Sequence, residues 1–103
     1  MDQSFCKLSI VCPLLAEEEI LNLVLSEGRM VKGFTTWRAE GHGHGFDNAT
    51  ATERVRGRVD RAVLVSVLPR SAISALLERI RAAFKGSQLA YWVEPVEQFG
   101  DLK

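Results

Sequence analysis

Arg54–Phe84, RVRGRVDRAVLVSVLPRSAISALLERIRAAF, is the stretch from which the architecture follows. Its first half reads as a β-strand. From Ala62 to Leu68 it is apolar at every position but Ser66, and Pro69, with no N–H to donate, ends it. Its second half changes period. Ile73, Leu76, Leu77, Ile80 and Phe84 are spaced i, i+3, i+4, i+7, i+11, one face of a 3.6-residue repeat, which predicts an amphipathic helix. Arg79, Arg81 and Lys85 fall in its final turns, where the helix dipole favours cations, and Gly86 is the expected stop.

The N-terminal half repeats this order. Phe5 to Val11 alternates, with Cys6, Leu8 and Ile10 apolar about Lys7 and Ser9, and predicts a strand. Pro13 closes it and opens a helix. Glu17, Glu18 and Glu19 sit in the first turns of that helix, Ile20, Leu21, Val24 and Leu25 form its buried stripe, and Gly28 stops it. A second strand is predicted from Met30 to about Glu40, and a last one from Leu89 to Val93, limited by Pro95. The order β-α-β, loop, β-α-β, with a proline before and a glycine after each helix, predicts an α+β, ferredoxin-like βαββαβ fold. One domain would cover residues 1–103, with a four-stranded antiparallel sheet, two helices on one face, a long β2–β3 loop (41–53) and a C-terminal tail (96–103).

In a two-layer domain the face of the sheet away from the helices is expected to be polar. Here the third strand is apolar on both faces, and Tyr91-Trp92 places one aromatic on each side of the last. A bare apolar sheet face is unusual on a monomer, so self-association with the sheets inward is expected.

Composition narrows the function. Apolar residues make up 47% and charged residues 25% of 103, the balance of an ordinary globule. No apolar run approaches the ~20 residues that cross a bilayer, and the N-terminus lacks a signal pattern, so a cytoplasmic protein without membrane insertion is expected. The net charge is zero but uneven. Met1–Gly28 holds one lysine against five acids, whereas Arg29–Arg61 holds seven bases against four acids. That surplus suits a small anion and is too weak for nucleic acid. Cys6 and Cys12 share a strand face roughly 20 Å apart and cannot bridge each other, so free buried thiols are expected.

The loop Gly33–Arg58, GFTTWRAEGHGHGFDNATATERVRGR, carries both histidines and is long for so small a domain. Gly33, Gly41 and Gly43 lack a Cβ and let the backbone approach a ligand, and consecutive N–H groups there can cradle an anion. Arg54, Arg56 and Arg58 alternate onto one face if extended, either as a comb for phosphate or bicarbonate or as a solvated face paired with Glu53 and Asp60.

The residues Gly33-Phe34-Thr35-Thr36, then Gly41-His42-Gly43, with AVLVSVLP before a helix, resemble the PII-like signalling proteins, whose motif runs Gly-x-Thr-Val…Gly-x-Gly. The resemblance implies a homotrimer with inward-facing sheets and clefts between subunits that bind an adenine nucleotide (AMP, ADP or ATP), together with bicarbonate. It implies a regulator and not an enzyme, whose T-loop signals to a membrane transporter or other protein. Thr35 would meet the adenine edge. The sequence departs from PII proteins proper in three places. The phosphate-holding loop is reduced to Lys85-Gly86-Ser87-Gln88, the tail Glu97-Gln98-Phe99-Gly100 lacks the arginine pair, and Tyr91, the only tyrosine, lies outside the loop. A divergent branch is implied, with Lys85 and Gly86 as the remnant of the phosphate loop.

Two other functions share this outline. His42 and His44, at i and i+2, could grip one divalent metal with help from Glu40, as in a metal-tolerance protein, although zinc sites normally take four ligands. A small dimeric oxygenase would have the same fold. No nucleophile-base signature or P-loop is present in the sequence.

Overall fold

The computed structural model describes residues 4–26, 31, 33–42, 59–85 and 88–103. Strand β1 (Phe5–Pro13) leads through a 3-10 turn (Leu14–Ala16) into helix α1 (Glu17–Leu25). Strands β2 (Thr35–Gly41) and β3 (Val59–Pro69) follow, then helix α2 (Arg70–Ala83) and strand β4 (Ala90–Val96). The four strands form one antiparallel sheet in the order β2-β3-β1-β4, the ferredoxin-like arrangement expected from the sequence.

Each half launches its helix from a proline in nearly the same extended conformation, Pro13 at φ −57°, ψ 143° and Pro69 at φ −59°, ψ 139°. Proline fixes φ and has no N–H to lose at a helix start, so the two junctions share one local cause. The backbone N–H of Arg70 donates to the Ser4 carbonyl at 2.9 Å, tying the start of α2 to the start of β1. The predicted glycine stops, Gly28 and Gly86, lie outside the described residues.

The core lies between sheet and helices. Cys6, Leu8, Ile10 and Cys12 from β1 interleave with Ala62, Leu64 and Leu68 from β3, and Ile20, Val24, Ala72, Ile73, Leu76 and Ile80 close over them. Leu8, Ile20, Val24 and Leu64 are fully buried. Both cysteines are free and buried, as expected.

Three boundaries differ from the sequence reading. Val31 is buried in the core, yet β2 begins only at Thr35, so the apolar signal before it marks burial and not pairing. Strand β4 runs on through Pro95 to Val96, because β4 is an edge strand and proline is tolerated there. Leu25 is exposed instead of joining the α1 stripe. At 100° per residue it lies well round the helix from Ile20 and Val24, which carry the contact.

Register defines the second face. Thr35 faces Val65, Val65 faces Ser9, and Ser9 faces Trp92; in the adjacent row Trp37, Val63, Val11 and Ala90 stand side by side. These side chains point away from the helices, because alternate residues of the same strands fill the core. Trp37 and Trp92 are each about half exposed. The open face is therefore apolar, as the third strand implied. Its polar side chains include Ser9, Thr35 and Arg61, with Lys7 near Glu94 at 3.8 Å and the Trp92 indole N–H donating to Glu94 Oε1 at 3.0 Å. Phe99 in the tail packs its ring 5.5 Å from that of Phe5.

Candidate ligand-binding site

The strand directions bring several chain ends to one end of the sheet. Gly41 pairs with Val59 at the exit of β2 and entry of β3, Pro13 at the end of β1 faces Arg61, and Ala90 at the start of β4 faces Val11. Helix α2 runs back from Pro69, so Phe84 and Lys85 reach this same end. We call it the loop end, since the β2–β3 connection leaves from it.

Gly41 and His42 stand at the loop end on the β2 edge. Lys85 stands there too, with Arg81, in a groove of about 430 Å³ between α2 and the β4 edge whose walls include Ile10, Leu77, Phe84 and Tyr91. Between the two edges lie three strand spacings, roughly 14 Å. Thr35 and Thr36 open β2 at its far end, and Gly33 and Phe34 precede it, with the Ser66 hydroxyl donating to the Gly33 carbonyl at 2.7 Å. Thr35 shares the open face with Val65, and Thr36 points to the other side, opposite Leu64. Gly43, His44, Arg54, Arg56, Arg58 and Gly86 lie outside the described residues. Among the described residues no three His, Cys, Asp or Glu side chains group to hold a metal ion.

The two described loop glycines differ in kind. A Cβ on Gly33 would meet nothing within 4 Å. A Cβ on Gly41 would lie 2.9 Å from Val59 Cγ2, 3.1 Å from Arg61 Nε and 3.2 Å from Arg61 Cγ. Gly41 is thus a glycine for a local reason: the Val59 side chain, with Arg61 beside it, fills the space a Cβ would take. Gly41→Ala is expected to cost about 1–3 kcal/mol through overpacking, whereas Gly33→Ala should leave thermal stability unchanged or slightly raised. Thermal melts of the two variants check this contrast.

Arg61 is the residue that sequence reasoning missed. It lies on the open face with Val63, Val65 and Val67, and it lines a notch of about 210 Å³ with Val11, Gln88, Leu89 and Ala90. The signal was present: Arg61 is the one cation in the odd-numbered series of β3 that is otherwise apolar from Val59 to Val67. Glu17, at the start of α1, accepts from Arg38 on β2, an ion pair on the helix side of the sheet.

Burial pushes the Cys12 thiol pKa up, with the Glu17 carboxylate adding to the rise; the Arg61 charge and the Ala62 backbone oppose it. A buried thiol held in its neutral form is a poor nucleophile. Cys12, buried in the core cluster, is placed for packing.

The family described as a protein of unknown function (DUF3240) matches residues 2–103. No curated protein matches. A DUF3240 family protein from Shewanella baltica OS155 superposes with a TM-score of 0.79 at 18% identity, covering 100% of both chains. CPII, a nitrogen regulatory PII-like protein from Thiomonas intermedia K12 bound to ADP, AMP and bicarbonate, superposes with a TM-score of 0.73 at 19% identity, covering 96% of this chain and 97% of that one. A Bacillus cereus protein related to NIF3 gives a TM-score of 0.71 at 14% identity, covering 93% of this chain but 26% of the other. At these identities the likeness is one of fold, and the fold is that of the PII-like proteins.

Proposed function

This chain belongs to the DUF3240 family, and from that premise we propose that it works as a PII-like regulatory protein. It assembles as a homotrimer with its sheets inward and binds an adenine nucleotide, with bicarbonate, in the clefts between subunits. The β2–β3 connection after Gly41 signals to a target protein, a membrane transporter being the expected class.

The open face of the sheet carries this proposal. Trp37, Val63, Val65, Val11 and Trp92 leave it apolar where a two-layer monomer would be polar. Ser9 Oγ is buried in its midst and has no hydrogen-bond partner among the described residues. An orphan hydroxyl costs about 1–3 kcal/mol, which an acceptor from a neighbouring chain would relieve. The opposite-edge placement of the ligand residues adds support. Gly41 and His42 on one edge and Lys85 on the other are too far apart to grip one small molecule within a chain, but a second copy brings unlike edges together.

A thermal-shift screen of AMP, ADP and ATP, with and without bicarbonate, tests the ligand. A ligand at 100 times its Kd stabilises the folded state by about 2.7 kcal/mol, or roughly 10–20 °C in Tm for a domain near this size. If none of the three nucleotides moves the melt in either condition, the nucleotide assignment is wrong.

A further inference from the structure

We propose that Arg61 and Gln88 hold a small planar oxyanion in the notch at the loop end, and that Arg61 links that anion to the base of the β2–β3 loop. The inference rests on the bicarbonate half of the function proposed above and gives it residues. Three observations carry it. Arg61 lines a notch with Val11, Gln88, Leu89 and Ala90, and among the described residues its guanidinium is the only charge in the lining. Among the described residues no carboxylate pairs with it, whereas Lys7, Arg38 and Arg81 each have an acidic partner. Its side chain also lies against Gly41, the last residue of β2: a Cβ there would stand 3.1 Å from Arg61 Nε and 3.2 Å from Arg61 Cγ, beside the closer Val59 Cγ2 at 2.9 Å.

The chemistry of the occupant follows from these groups. Guanidinium is a flat fork of five donors that stays charged at any physiological pH, and it matches a planar oxyanion two bonds at a time. The Gln88 side chain adds a neutral donor to the same lining. About 210 Å³ admits an anion of a few heavy atoms and some water, and is too small for a nucleotide. Val11, Leu89 and Ala90 thin the water around the pair, which strengthens a charge-assisted bond. Arg61 Nε, one donor of that fork, lies against Gly41, so an anion held there acts beside the end of β2. Arg61 is therefore a positioning residue for the loop as well as a binding residue for the anion.

The test follows Tm of the full chain against bicarbonate at constant ionic strength set with sodium chloride, for the native protein and Arg61→Gln. Acetate and phosphate form parallel arms, and ADP a control. Bicarbonate is expected to stabilise the native protein beyond chloride, and Arg61→Gln to raise the half-saturating concentration roughly 10- to 100-fold with the ADP shift retained. Acetate acting like bicarbonate supports a general planar-carboxylate site. Phosphate acting as well as bicarbonate, an unchanged bicarbonate response in Arg61→Gln, or no response in the native protein overturns the site. Loss of the ADP effect alone, in the native protein, counts against the nucleotide function and not against this notch. Should Arg61→Gln fail to fold, the Arg61 Nε–H resonance of the native protein is followed by NMR during a bicarbonate titration. Movement beyond the chloride control supports the site, and a static resonance overturns it.

Discussion

Val65→Lys is expected to convert the assembled protein into monomers while leaving its helical circular dichroism and its core intact. Val65 lies in the middle of the open face, between Thr35 on one neighbour strand and Ser9 on the other. In an isolated chain the new ammonium would reach water from a sheet surface that is already partly exposed, at little cost to the fold. In an assembly with sheets inward the same charge would be buried without a partner. Leaving an uncompensated buried charge costs about 3–5 kcal/mol, and each ~1.4 kcal/mol is tenfold in an association constant, so the interface weakens by roughly two to three orders of magnitude. Symmetry repeats that penalty in every copy. Light scattering across a concentration series reads the result. A variant that keeps the native mass would mean the open face is not where chains meet.

One residue earlier the consequence reverses. Leu64→Ala is expected to lower the stability of each chain by about 2–5 kcal/mol, the range for a buried leucine that leaves a cavity. Leu64 is fully buried on the helix side of the sheet, beside the contacts of Ile20, Val24, Leu76 and Ile80. Domains of this size have about 5–15 kcal/mol in total, so the melt should fall by roughly 10–30 °C. Urea unfolding should show the midpoint shift with the slope unchanged. A drop below 1 kcal/mol would mean that Leu64 does not fill the contact between sheet and helices. The two variants separate folding from assembly at neighbouring positions, because a strand alternates its faces with period two.

That alternation explains which parts of the molecule were legible beforehand. Strands β1 and β3 and helix α2 carry strong periods, and their positions follow from sequence within about two residues where the structure describes them. The apolar open face was legible too, since a run such as Ala62–Leu68 has no polar side to turn outward. Where β2 begins was not. Val31 is as buried as a strand residue, and hydrophobicity reports burial whether or not a ladder partner is present. The end of β4 was hidden by Pro95, which reads as a terminator unless the strand is known to lie at an edge. In the ligand site, Gly41, His42 and Lys85 were recognised as residues, but their separation across the sheet depends on strand order. Arg61 stands out in sequence as the one cation in the odd-numbered series of β3, but its approach to Gly41, a contact between β3 and β2, is encoded by no local pattern.

Pro95 has a further bearing on how chains can join. It sits opposite Cys6 in the outermost strand, and an edge proline turns its ring nitrogen toward solvent. A foreign strand laid along that margin would find one rung missing from the ladder it tries to complete. Open-ended growth from this side of the sheet is thereby discouraged, and association is steered toward closed, face-to-face arrangements of fixed number.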